Sequence, residues 1–296
     1  MIFSGSMVAL VTPMNVSGRV DESRLAELIE FHLSAGTEAF IIAGTTGESA
    51  TLSRAEHLSL IQQACQLVDG RALTIAGTGS NSTEQTLDLS IAAATLPIDG
   101  LLIVTPYYNK PTQEGMFRHF TKIATNVDKP IILYNVPGRT GVDLKSDTVV
   151  RLSAHNNIVG IKDATGDLDR VEILRHACGS DFSLLSGDDL TSSDFMLRGG
   201  HGVISVTANV VPDQIRLLCD AARFGNKLEA ELIDEKLRSL HHAMFIESNP
   251  IPVKWAMFQM GFIENGIRLP LTMLSEEHQK NLIESMVKAG VGGISQ

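Results

Sequence analysis

The 296-residue chain holds only three cysteines, Cys65, Cys178 and Cys219, far apart and without a C-x-x-C pair. That excludes a disulfide framework, offers no zinc spacing, and suits a reducing compartment. Aromatic residues make up 5% of the chain, with Trp255 the single tryptophan, too few for a surface that stacks single-stranded bases. Basic residues are also outnumbered: 24 Lys and Arg stand against 34 Asp and Glu, a formal charge of −10. Such a chain repels phosphate backbones and anionic membranes, so an anionic substrate must be held by local cations. No apolar run reaches the roughly 18 residues of a membrane span. The first basic residue is Arg19, so the N-terminus does not read as a signal peptide. These absences lead us to expect a soluble cytoplasmic protein that binds neither nucleic acid nor membrane. What is present is an ordinary globular mix, 44% hydrophobic and 20% charged, in a chain long enough to build a large core.

Short apolar runs rich in Val, Ile and Leu recur along the chain. They are Met7–Val11, Ala39–Ala43, Ala72–Ala76, Gly100–Val104, Pro130–Tyr134, Asn157–Lys162, Phe182–Ser186 and Gly202–Val206. Each is followed by a polar or Gly-rich turn and an amphipathic stretch. In Asp21–Ser34, Leu25, Leu28, Ile29 and Leu33 fall at helical spacing, and Ser53 with Glu56 reads as a capping box. Thr83–Thr95 and Gln113–Val127 follow the same logic. Continuous apolar strands alternating with helices indicate a parallel sheet covered on its outer face. Eight such units predict an α/β fold, a (β/α)₈ TIM barrel, with a doubly wound open sheet as the other architecture the pattern allows. Beyond the eighth unit, Lys227–Phe245, Pro252–Met260 and Glu276–Ala289 read as helices. The expected organisation is a catalytic barrel over 1–224 and a helical extension over 225–296 packed on it.

Several familiar motifs fail. The Gly77-Thr78-Gly79 segment lacks the third glycine of a dinucleotide loop, and Gly44-Thr45-Thr46-Gly47 lacks the Gly-Lys-Ser/Thr of a phosphate-binding loop. The nine histidines show no ligand spacing, which disfavours a metal-dependent aldolase; neither metal nor organic cofactor is expected.

In a TIM barrel, chemistry collects at the C-terminal strand ends. There the sequence places Thr45 and Thr46, Tyr107 and Tyr108, Tyr134 and Arg139, Lys162, and Gly187 with Asp188 and Asp189. Strand alternation groups Ile158, Gly160 and Lys162 on one face, so Lys162 points into the barrel mouth if Val159 and Ile161 meet the helices. The space above Gly160 leaves room for it. A desolvated lysine loses part of its preference for the charged form, and its amine becomes usable for Schiff-base formation. From position alone, a solvated lysine at a strand end is the slightly favoured reading. Tyr134 shares the parity of Ile132 and can also face inward, where Tyr108 and the Thr45 hydroxyl offer partners. The Thr45-Thr46-Gly47 turn can present amide groups to a carboxylate, and Arg139 can grip a second one.

At these residues the sequence resembles a known family. GTTGESATL (44–52), TPYYNKP (105–111), YNVPGRTG (134–141), GIKDATGD (160–167), LLSGDD (184–189), GGHGVISVTANV (199–210) and NPIPVKWA (249–256) resemble the dihydrodipicolinate synthase family, in order and essentially from end to end. The resemblance implies a class I lysine aldolase barrel that condenses pyruvate with aspartate semialdehyde, in lysine and diaminopimelate biosynthesis. It implies that Lys162 forms the imine, that Tyr134 donates and accepts protons, and that Thr45 and Tyr108 complete a relay. Tyr108 would come from the neighbouring subunit of a tight dimer, within a homotetramer. Thr46 and Ile204 would hold pyruvate, with Gly187 also at the substrate, and Arg139 would bind the semialdehyde carboxylate. Ser49, Ala50, His57, Asn81 and Tyr107 match a lysine-feedback site, but Arg54 stands where lysine-sensitive relatives often carry His, and Gln85 where they carry Glu. Two other readings share some of these features. An N-acetylneuraminate lyase or 2-keto-3-deoxy acid aldolase would keep the lysine, tyrosine and Thr-Thr turn but has less reason for Arg139. A non-catalytic oxo-acid-binding barrel would not need Lys162, Tyr134, Thr45 and Tyr108 together.

Overall fold

The computed structural model describes residues 3–293, so the outermost ends of the two expected segments lie outside the described residues. All eight apolar runs form parallel strands: β1 (Gly5–Ala9), β2 (Ala39–Ile42), β3 (Leu73–Gly77), β4 (Gly100–Val104), β5 (Ile131–Asn135), β6 (Ile158–Asp163), β7 (Ser183–Ser186) and β8 (Gly202–Ser205). They pair in sequence order, and β8 returns to β1, with Met7 opposite Ile204, to close a barrel. The open-sheet alternative is thereby removed. The first strand begins two residues before its apolar run, because Gly5 and Ser6 pair with Gly202 and Val203 despite carrying no apolar side chain.

Helices α1 (Glu22–Ser34), α2 (Arg54–Val68), α3 (Thr83–Ala94) and α4 (Gln113–Asn126) return the chain over the outside of the first strands. Shorter helices α5 (Pro137–Thr140) and α6 (Ser146–Leu152) follow β5, and α7 (Asp169–Cys178), α8 (Ser192–Leu197) and α9 (Pro212–Arg223) complete the ring. The Ser53 and Glu56 capping box forms as read, and Asp21 caps α1 by accepting from the amides of Ser23 and Arg24. These caps satisfy amides that a helix start otherwise leaves unpaired. The chain then adds α10 (Lys227–Ala243), α11 (Ile251–Gln259) and α12 (Glu276–Ala289), within a residue or two of the predicted stretches. No helix among the described residues is long and apolar enough to cross a membrane.

Alternation along the strands divides the apolar side chains into two cores. Val8, Phe40, Ile42, Leu101, Ile103, Leu133, Ile161 and Val203 meet the helices in the outer core. Met7, Ala9, Ile41, Ile75, Leu102, Ile132, Leu185 and Ile204 fill the barrel, with Phe3 fully buried among them. The interior is thus a packed core that leaves its chemistry to the rim.

A buried ion pair ties the last helices to that rim. Glu48, in the turn after β2, pairs with Lys254 of α11, and neither side chain is exposed at all. The other oxygen of Glu48 accepts from the Arg268 amide at 3.0 Å. Arg268 in turn pairs with Glu56 at 2.5 Å and donates to the Gly18 and Thr51 carbonyls. Burial pushes the Lys254 ammonium down and the Glu48 charge pulls it back up. Removing one member of a buried pair strands an uncompensated charge. Lys254→Met should therefore cost roughly 3–5 kcal/mol of stability, read as a lower denaturant midpoint, and adding Glu48→Leu should recover part of the loss. A single variant as stable as the parent would show that the pair contributes nothing.

Candidate active site

Lys162 lies near the C-terminal end of β6, beside Tyr134 of β5 in the ladder. Its Nζ stands 4.4 Å from the centre of the Tyr134 ring, and both face a cavity of about 200 Å³ at the barrel mouth. The inward direction agrees with the sequence reading, but the alternation behind it does not run the length of the strand. The register between β5 and β6 shifts at Ile131/Ile132, so Ile158 belongs to the outer core and Val159 packs on the inner one. Inward placement of Lys162 is set by Gly160 and Ile161 alone. The room for it also comes from elsewhere. A side chain at Gly160 would strike the Ser183 carbonyl of β7 at 2.6 Å, whereas one at Gly187 would come within 2.8 Å of Lys162 Cε. Gly187, at the end of β7, is the residue whose missing side chain admits the lysine.

Lys162 is only 5% exposed. Burial is the main cause that brings its ammonium down to about 7, against a raising influence of Asp189 and with a further lowering push from Arg139. Near neutral pH a substantial fraction of the amine is therefore unprotonated and able to attack a carbonyl. Asp189 is itself almost wholly buried. One oxygen accepts from the amides of Val206 and Thr207 at 2.9 and 3.1 Å, and the other has no hydrogen-bond partner. Tyr134 is pushed up by burial, opposed by Arg139 and by a hydrogen bond with the Thr45 hydroxyl, so its phenol keeps its proton.

On the other side of β6, Asp163 pairs with Arg170 at 3.0 Å, and Arg170 reaches Asp143 at 3.1 Å. Asp163 also accepts from the Thr165 amide and hydroxyl. The network fixes the strand end directly after the lysine.

The turn after β2 forms the facing wall. Its internal hydrogen bonds use the amides of Gly47, Glu48 and Ser49, and those of Thr45 and Thr46 take no part in them. Thr46 is buried and its hydroxyl accepts from Asn249 Nδ2 at 3.0 Å. Arg139, on α5, is an exposed side chain whose Nη2 donates to the Asn249 carbonyl at 3.0 Å. Thr45, Arg139 and Asn249 line both the inner cavity and a larger outer groove of about 1430 Å³. Of the five described non-glycine residues at positive φ, Ala43, Glu48, Tyr108 and Lys110 lie in the turns after β2 and β4. Backbone held in that region by its surroundings concentrates at functional sites.

Not every residue singled out from the sequence meets in the cavity. Tyr108 lies in the outer groove with its side chain 88% exposed, away from Lys162. Ile204 is packed in the inner core beneath the cavity rather than lining it, and Val206 lines it instead. Ser49, Ala50, His57 and Tyr107 share the outer groove with Arg54 and Gln85, but Asn81 does not line it. Arg54 is paired with Asp88 at 2.8 Å, and Gln85 accepts from the Ser80 hydroxyl. Glu84 turns to α4, where it pairs with Lys122. No set of three metal-ligating side chains converges among the described residues.

Sequence reasoning gave Asp189 and Asn249 no role. Asp189 stood in the Asp-Asp pair after β7, and only the fold shows that it is the buried member, while Asp188 lines the cavity. Asn249 opened a quoted motif, but nothing in the chain signals that its loop reaches the Thr46 hydroxyl.

The dihydrodipicolinate synthetase family matches residues 2–289. The chain is 53% identical over 290 residues to 4-hydroxy-tetrahydrodipicolinate synthase of Thioalkalivibrio sulfidiphilus, covering 98% of this chain and 99% of that one. Its fold is similar to the chloride-inhibited dihydrodipicolinate synthase of Acinetobacter baumannii complexed with pyruvate, with a TM-score of 0.96 and 48% identity over 98% of this chain and 100% of the other. It is also similar to the enzyme of Cyanidioschyzon merolae with lysine bound, with a TM-score of 0.95 and 38% identity over 98% of this chain and 99% of the other. A barrel that buries one lysine against one tyrosine, matched along nearly its whole length, belongs to the dihydrodipicolinate synthetase family.

Proposed function

We propose that this chain condenses pyruvate with L-aspartate 4-semialdehyde to form 4-hydroxy-tetrahydrodipicolinate, with Lys162 as the Schiff-base lysine. The enzyme class is that of its relatives, a pyruvate-dependent lyase of the class I aldolase type. The observation that carries the assignment of Lys162 is its burial in a small cavity beside Tyr134, with an ammonium brought down to about 7.

The unprotonated amine of Lys162 adds to the keto carbon of pyruvate, and loss of water leaves an iminium. The iminium withdraws electrons from the adjacent methyl group, whose proton returns to Tyr134 after that phenol has protonated the departing hydroxyl as water, and an enamine is left. The enamine carbon forms a bond to the semialdehyde carbonyl, and the resulting alkoxide takes a proton from Tyr134. The substrate's own amine then displaces Lys162 and closes the ring, returning the lysine free. No step requires a metal or organic cofactor. Tyr134 suits proton transfer because burial keeps the phenol neutral and the Thr45 hydroxyl beside it lowers the cost of giving up the proton. Thr45 faces both cavity and groove, so it can pass the proton outward. Tyr108 of a second copy would complete the relay there, in the expected dimer of tight dimers. Thr46 suits the pyruvate carboxylate, and Arg139 suits that of the semialdehyde.

Borohydride added with pyruvate should trap a secondary amine on Lys162, seen as a mass shift on its peptide. Lys162→Ala should lose nearly all turnover, because it removes the nucleophile. Trapping at another lysine would refute the assignment.

Activity should fall as pH drops through about 7, as Lys162 gains its proton. Asp189 raises that value, so Asp189→Asn should move the acid limb to lower pH. Arg139 lowers it, so Arg139→Ala should move the limb to higher pH. Arg139→Ala should also weaken semialdehyde capture by about tenfold or more, the cost of a charge-assisted contact. Limbs that do not move in opposite directions would exclude these roles.

Free lysine at millimolar concentration should inhibit weakly or not at all. Gln85 offers a neutral acceptor where a carboxylate would grip the α-amino group, and Glu84 is turned away to Lys122. Strong inhibition in a rate-against-lysine curve would show that another group in the groove compensates.

A further inference from the structure

We infer that Asn249, delivered from beyond the barrel, is a positioning residue of the pyruvate-binding wall, held there by the Glu48–Lys254 ion pair. The inference rests on the pyruvate reading above and adds a residue to it. Asn249 is 5% exposed and lies in the segment between α10 and α11. It touches both groups suited to the two substrate carboxylates. Its side-chain amide donates to the Thr46 hydroxyl at 3.0 Å, and its carbonyl accepts from Arg139 at 3.0 Å.

The direction of the first contact matters. An amide NH₂ can only donate, so Thr46 Oγ1 must be the acceptor in that bond. The hydroxyl's own proton is then turned away from Asn249, on a side chain that faces the cavity. A donating hydroxyl is what a carboxylate needs, and Asn249 selects that orientation before any ligand arrives. The amides of Thr45 and Thr46, uncommitted within the turn, complete a donor set around one anion.

Two cross-links keep these segments in register. Thr46 meets Asn249, and two residues later Glu48 meets Lys254 of α11. The first lies at the cavity, and the second is dry. A shift of α11 would therefore disturb the buried pair as well as the amide contact. The helices after the barrel supply part of the anion-binding wall in addition to packing on the outside.

The test follows imine formation alone, so it does not depend on the second substrate. Borohydride trapping is measured against pyruvate concentration in the parent chain, Asn249→Ala, Asn249→Asp, Thr46→Val and the Thr46→Val/Asn249→Ala pair. Half-saturating pyruvate should rise roughly tenfold or more in Asn249→Ala, as for loss of one hydrogen bond to a charged group. The near-isosteric Asn249→Asp cannot donate to Thr46 and should lose at least as much, which decides the matter if the alanine variant does not fold. The pair should cost no more than Thr46→Val alone, since Asn249 acts through that hydroxyl. Unchanged half-saturation, or costs that simply add, would overturn the inference. A parent chain that traps no pyruvate would fail the proposed function itself, a result distinct from either.

Discussion

Everything at the barrel mouth follows from keeping water away from one ammonium group. Closure of β8 onto β1 surrounds Lys162 with strand ends, and the filled interior below allows no solvent from beneath. Charge in such a site is costly unless paired. The protein compensates only in part, with Asp189 near enough to raise the lysine and Arg139 acting against it. Full pairing would leave a permanently charged amine with no nucleophilic lone pair. No pairing would leave nothing to favour the cationic iminium once it forms. A balance close to 7 lies between these failures.

The same cavity must hold anions inside a chain of net charge −10. Long-range attraction cannot gather them, because the field of the whole molecule has the wrong sign. On the function proposed above, capture would depend on short-range donors: the Thr45 and Thr46 amides, the Thr46 hydroxyl and the Arg139 guanidinium. Short-range donors act only if they are oriented in advance, since a hydrogen bond contributes little after reorganisation. This is why so much structure behind the cavity is devoted to orientation. Glu48 sits at φ 57 in its turn, fixed by Lys254 and the Arg268 amide, and Asn249 bridges the threonine and the arginine.

The barrel was legible from the sequence because strands buried on both faces must be apolar throughout, and eight such runs leave little choice of architecture. Lys162 and Tyr134 were legible for the opposite reason: each breaks an apolar run at its C-terminal end. What stayed hidden depends on register between strands distant along the chain. The alternation through β6 gives Lys162 its correct face, yet it misassigns Ile158 and Val159 because the slip opposite Ile131 is not encoded within β6. Gly160 looked like the source of space for the lysine, but β7 lies against it, and the needed gap is at Gly187, some 25 residues away along the chain. Asp189 and Asn249 become meaningful only when loops from different ends of the chain meet.

That pattern also explains the place of the last three helices. A (β/α)₈ barrel is complete without them, and by sequence they read as packing. Yet Glu48, in the turn after β2, is neutralised by Lys254, more than 200 residues later. Were α11 absent, the pocket for Glu48 would open to water, and its turn would lose the contacts that hold its left-handed backbone. Thr46, two residues earlier in the same turn, would then lose both its fixed position and its partner Asn249. The barrel can bury the lysine by itself. Orienting the donors that bring a carboxylate to it requires the chain that follows.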